Sequence, residues 1–140
     1  MLKNIDVAEA LSEGHIGDYY THEAEISNIK YDPVGRTLSF RLFYDGWIKE
    51  RHEAENMCFT NLDVVFDGVV NLNIVRQKAD TTGEEVKYVD VPVQPLESIE
   101  ETLLGIYRED TNVVEILVDN DWSDITVIKF VADKVSVTEK

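Results

Sequence analysis

Within GHIGDYYTHEAE, five side chains able to hold a metal ion, His15, Asp18, His22, Glu23 and Glu25, fall inside a dozen residues. A zinc site on a helix uses two histidines four apart, so that both rings leave the same face. His15 and His22 are seven apart across Gly17, and no cysteine completes the set. The spacing therefore predicts no metal and no cofactor. His22 is expected instead to hydrogen-bond where the loop enters the first long strand, fixing that turn. His52 and Cys58 could pair as base and nucleophile, but six residues of strand separate them by about 20 Å, so they meet only if the chain folds back. Cys58 between Met57 and Phe59 reads as a small buried hydrophobe. Asp119-Asn120-Asp121 has the start of a calcium loop without its turning glycine or distal glutamate, and a hairpin turn explains it better. Neither GxxxxGK[ST] nor GxGxxG occurs, so no phosphate cradle is encoded. No catalytic constellation emerges, and the chain is expected not to be an enzyme.

Charge is the stronger signal. The 140 residues carry 28 acids against 13 bases, a net of −15. Direct nucleic-acid binding is excluded, because each phosphate contact requires a cation and a polyanion would be repelled over a screening length of about 8 Å. A basic protein partner fits. Residues 97–124 hold nine carboxylates against Arg108 alone, a net of −8 and more than half of the total. From this window the expected partner-binding residues are Glu97, Glu100, Glu101, Glu109, Asp110, Asp119, Asp121 and Asp124.

Those residues need a scaffold, and 44% hydrophobic residues in a chain of this length supply one core, hence a single domain over 1–140. A lone cysteine allows no internal disulfide, and no apolar run approaches the roughly 20 residues of a membrane span. Charges in MLKNIDVAEALSEG stand where a signal peptide needs its apolar stretch. The expected location is the cytoplasm, with no membrane contact.

Asp6 and Glu9 have capping-box spacing and Gly14 offers a stop, predicting a two-turn helix that leans on Val7, Ala8 and Leu11. From Glu23 to Tyr31 the alternation slips between Ile26 and Ile29, which predicts a strand with a bulge near Ser27-Asn28 and a reversal at Asp32-Pro33-Val34-Gly35. Leu38, Phe40, Leu42 and Tyr44 then share one face of the clearest strand. Asp45-Gly46 predicts a hairpin to an edge strand over Trp47 to Ala54. Buried β segments follow between Met57 and Phe66, then a turn at Asp67-Gly68, a strand through Leu72 and Ile74, a polar loop over 77–85, and a strand from Val86 to Val91.

After Pro95, Ser98 and Glu101 repeat the capping-box spacing, and Ile99, Leu103, Ile106 and Tyr107 recur at helical intervals. This predicts a second helix, with Glu97, Glu100 and Glu101 on its solvent face. Strands over Asn112 to Val118 and Trp122 to Val131 flank the Asp119 turn, and a short one at Val135-Ser136-Val137 closes the chain. The expected fold is α+β, mainly β: an antiparallel sheet, sandwich or partly open barrel, of about eight or nine short strands with two short helices.

Thr21 to Trp47, THEAEISNIKYDPVGRTLSFRLFYDGW, with its His-x-Ala-x-Ile strand and hairpin, resembles small acidic bacterial proteins that act as immunity proteins of contact-dependent or polymorphic toxin systems. ITVIKFVADKVSV is similar to their closing strands. The resemblance carries no catalytic residue and implies a cytoplasmic inhibitor that captures a cognate toxin, often a basic nuclease, and blocks its active site. A small β-barrel or sandwich that binds a ligand, or an enzyme of unknown chemistry, is the alternative.

Overall fold

The computed structural model describes residues 2–44, 49–51, 61–121 and 123–140. Ten strands form one antiparallel sheet: β1 (Leu2–Asp6), β5 (Glu25–Asp32), β6 (Thr37–Phe43), β7 (Asn61–Asp67), β8 (Val70–Asp80), β9 (Lys87–Val91), β10 (Glu101–Asp110), β11 (Val113–Asp121), β12 (Asp124–Val131) and β13 (Lys134–Glu139). Their order is β1-β13-β7-β6-β5-β10-β11-β12-β8-β9. Three two-residue strands, β2 (Leu11–Ser12), β3 (His15–Ile16) and β4 (Tyr19–Tyr20), make a second small sheet that packs against β10. The mainly antiparallel β architecture expected from the sequence is thus the observed one.

The large sheet is open but folded over on itself. β7 and β12 stand five places apart, about 24 Å in a flat sheet at roughly 4.8 Å per strand. The rings of Phe66 on β7 and Phe130 on β12 nevertheless meet edge to face at 5.1 Å. One half, β1-β13-β7-β6-β5, therefore lies over the other, β10-β11-β12-β8-β9, and the apolar side chains of both inner faces form one core. Strict alternation produces those faces: Leu38, Phe40 and Leu42 on β6, Leu62, Val64 and Phe66 on β7, and Ile128 and Phe130 on β12 are all buried. The seam between the halves is short, with only Glu101 opposite Ile26 and Thr102 opposite Glu25 in register.

Several local expectations hold. β5 carries its register shift between Ser27 and Lys30, with Asn28 at φ 55°, so that Ala24, Ile26 and Ile29 all reach the core. The Asp32 turn reverses the chain, and Asp32 Oδ1 accepts a hydrogen bond from the Val34 amide at 3.0 Å. Gly68 turns the chain at φ 71°, a left-handed conformation that glycine adopts without a Cβ penalty.

Others are corrected. The second predicted helix is a 3-10 turn, Leu96–Ser98, followed by the strand β10. A register shift between Leu103 and Gly105 lets Leu103 and Ile106, three apart, face the same core. A bulged strand thus reproduces a helical interval, and Gly105 and Thr102 disfavour the helix itself. Ser98 Oγ donates back to Pro95 O rather than capping a helix. The first helix shrinks to α1, Val7–Ala10, with no side-chain cap: Lys134 takes the Asp6 carboxylate in an ion pair. Gly14 serves the β2–β3 turn instead.

The hairpin predicted across Asp45-Gly46 does not pair with β6, both of whose edges are filled by β5 and β7. Residues 49–51 are helical, in keeping with a segment that has no apolar side to lay on a sheet. The remainder of that predicted strand, Asp45-Gly46 itself, His52, the Met57 to Phe59 segment with Cys58, and Trp122 lie outside the described residues.

Candidate functional site

The histidine-rich segment becomes a structural node on the seam. Residues 22–24 are stitched to β10 by the Glu23 amide to Leu103 O at 2.9 Å and the Leu103 amide to Ala24 O at 2.7 Å. His22 Nδ1 lies in a short contact with Leu104 O. A carbonyl only accepts, so Nδ1 carries the proton there. Nε2 then faces Glu23 Oε1 at 3.7 Å, and Arg51 also pairs with the Glu23 carboxylate. The Tyr20 ring stacks between His15 and His22, at centroid distances of 5.1 and 6.0 Å. Among the described residues no three ligating side chains converge on one point. His22 is expected to fix the turn where the loop enters β5; its ring bonds instead to Leu104 O on β10, 82 residues further along, so it ties the loop to the seam.

Tyr44, buried at the end of the β6 face, secures the same node. Its hydroxyl lies 2.9 Å from Tyr20 O and 3.0 Å from His22 O, so one proton is shared between two carbonyls. Tyr44→Phe should cost about 1–2 kcal/mol, because both carbonyls lose this donor in a partly buried site. Urea unfolding checks this, and an unchanged midpoint would show that the carbonyls find water.

The acidic window separates into two ends. β10 runs nine steps from Glu101 to Asp110, about 30 Å, so Glu109 and Asp110 lie far from the others. Glu109 is paired with Lys129, and Asp110 Oδ1 accepts from the Thr111 amide at 2.8 Å. At the near end Glu97, in the 3-10 turn, and Glu100, just beyond it, are exposed. Asp119 sits opposite Thr102, on the outer face because their neighbours Leu103 and Val118 point into the core. Asp121 ends β11 with its backbone opposite Asp124. Among the described residues Glu97, Glu100 and Asp119 carry no ion pair.

Asp124 differs from all of these. It is 4% exposed, on the inner face of β12 with Thr126 and Ile128. Arg76 on β8 grips both its oxygens, Nε to Oδ1 at 2.9 Å and Nη2 to Oδ2 at 2.7 Å, and Asn120 Nδ2 reaches Oδ1 at 3.2 Å and Thr126 Oγ1 at 2.7 Å. The Arg76 hydrogen bonds, helped by Asn120, hold the Asp124 carboxyl below the usual carboxylate range, while burial opposes them. Glu101 adds a further attraction on Arg76. The result is a polar layer that ends the core of the β10-β11-β12-β8 half, and Asp124 is unavailable to a partner. Sequence patterning could have found it: Asp124 and Thr126 share the parity of Ile128 and Phe130, and an inward charge demands a counter-charge. Compared with known proteins, the chain matches no family model, no curated protein and no solved structure.

Proposed function

We propose that this chain is an immunity-type inhibitor of the bacterial cytoplasm, which binds a basic toxin domain through its acidic surface and covers that domain's active site. The observation that carries this reading is the group Glu97, Glu100 and Asp119, exposed or half-buried around one end of the seam and without ion pairs among the described residues. Carboxylates left unneutralised in a chain of net charge −15 create a field that steers a cationic partner and contribute little to folding. The resemblance of residues 21–47 to immunity proteins supports the same partner class. Asp124 drops out of the contact set, Glu101 serves the Arg76 layer, and Glu109 and Asp110 belong to a separate end.

The test is a triple charge reversal, Glu97→Lys, Glu100→Lys and Asp119→Lys, which spares the buried layer. Affinity for the product of the neighbouring gene, which this reading expects to be a basic domain, should fall about tenfold or more at low ionic strength, with a flatter salt dependence; a wild type that binds no such product overturns the proposal. Equal affinity and equal salt slope in a folded variant would remove this surface from the interface.

A further inference from the structure

The two edges of the large sheet are finished differently. β1 carries a register shift between Leu2 and Ile5, with Asn4 at φ 50°, an irregularity that interrupts the regular backbone array another strand would need. Among the described residues β9 has no such device and no strand on its outer side. It pairs with β8 through five consecutive residues, Arg76 to Asp80 against Val91 to Lys87, without a shift and without a proline inside the strand. Every second backbone N–H and C=O along it points away from β8.

Its side chains are unusually apolar for an open edge. Tyr88 is 64% exposed and Val89 42%, on opposite faces of the strand, and Val86 just before it is 62% exposed. Lys87 is the one cation on β9 itself; Lys78 stands behind Val89 on β8 and Arg76 is held by Asp124, while Asp80, Glu84, Glu85 and Asp90 keep this end of the sheet net negative.

From this we infer that β9 is an addition site for an extended segment of a basic partner, which joins the sheet as an eleventh strand. Backbone hydrogen bonds would set the pairing, Tyr88 and Val89 would cover side chains on its two faces, and the surrounding carboxylates select for lysine or arginine. A second copy of this chain is a poorer occupant, since it brings another −15 to the same edge. The choice of a basic segment rests on the charge reading above; the unfinished edge does not.

The probe is a blocked nine-residue peptide alternating lysine with valine, added to the intact isotopically labelled protein at low salt. Controls are the same peptide with alternate backbone amides methylated, and one with glutamate for lysine. Binding is read from shift changes and slowed hydrogen exchange at the amides of residues 87–91. The expected result is protection confined to β9 by the lysine peptide, at least tenfold weaker binding of the methylated peptide, and weaker binding of the glutamate peptide.

Val89→Pro and Tyr88→Pro provide the second arm, because their N–H groups point in opposite directions and only one of them serves β8. Whichever variant keeps the β8–β9 register should lose the lysine peptide. Equal binding of the methylated peptide would reduce the contact to charge alone and overturn strand addition, leaving the acidic-surface reading intact. Equal binding of the glutamate peptide would overturn the basic occupant. Shifts that avoid residues 87–91, no binding at millimolar peptide, or concentration-dependent dimers that exclude the peptide would each overturn the inference.

Discussion

Phe66→Ala should destabilise the domain by about 4 kcal/mol, roughly a quarter or more of the 5–15 kcal/mol that holds a typical domain folded. Phe66 is fully buried, and its ring sits where the two halves of the folded-over sheet meet. It tilts against Phe40 on the neighbouring strand at 6.1 Å and meets Phe130 of the opposite half edge-on at 5.1 Å. Removing it opens a cavity bounded by two layers of β-sheet backbone, which cannot collapse without breaking ladder hydrogen bonds. Phe66→Leu keeps most of the volume and should cost about 1–1.5 kcal/mol. A double-mutant cycle with Phe130→Ala should show a coupling of about 1 kcal/mol, the edge-to-face contact across the halves. Denaturant titrations at constant m-value measure all three. A cost under about 1 kcal/mol for Phe66→Ala would mean that the halves do not close on this ring.

That closure was only partly legible in the sequence. The alternation in Leu38-Ser39-Phe40-Arg41-Leu42 specifies a strand with one buried face, and Asn28 with Ser27 specifies the bulge that keeps Ile26 and Ile29 on one side. Nothing local states that β5 pairs with β10 across seventy residues, because pairing over that distance is chosen by how the whole set of apolar faces is buried. β10 reads as a helix in the sequence for a definite reason. Leu103 and Ile106 are three apart, which is a helical interval, and a bulge at residue 104 also brings three-apart residues to one face. Gly105 was the local signal against the helix. The difference bears on function, since a helix would gather Glu97, Glu100 and Glu101 on one exposed face. The strand instead turns Glu101 toward Arg76 and leaves Glu97 and Glu100 outside it.

The same change of geometry makes Asp124 a stability residue. With Asp124→Ala, the Arg76 guanidinium, whose side chain is 24% exposed, keeps its charge in the polar layer without its hydrogen-bonded carboxylate, leaving only the attraction of Glu101, and Asn120 loses one acceptor. Asn120 Oδ1 is already buried without a hydrogen-bond partner, so the layer is incompletely satisfied before the substitution. The expected cost is about 3 kcal/mol, at the low end for breaking a buried pair because Arg76 can partly reach water. Replacing both partners, Arg76→Met with Asp124→Leu, should cost less than Asp124→Ala alone, since the guanidinium leaves the layer together with its carboxylate and only the half-buried Glu101 loses an attraction.

The pH dependence has a fixed sign. The Asp124 carboxyl titrates lower in the folded chain than in the unfolded one, where an aspartate sits near about 3.9. Its stabilisation is therefore fully present above that unfolded value and is lost as pH falls through the lower folded one. The stability difference between the wild type and Asp124→Asn should be constant from about pH 5 to 8 and shrink below about pH 4. Asp63, whose carboxyl is lowered chiefly by Lys140 and also by Arg41, adds acid sensitivity of the same sign to both proteins and cancels in the difference. A difference that stays constant down to pH 2.5 would show that Arg76 does not depend on the ionised carboxylate. One that shrinks on the alkaline side would assign the coupling to a different group.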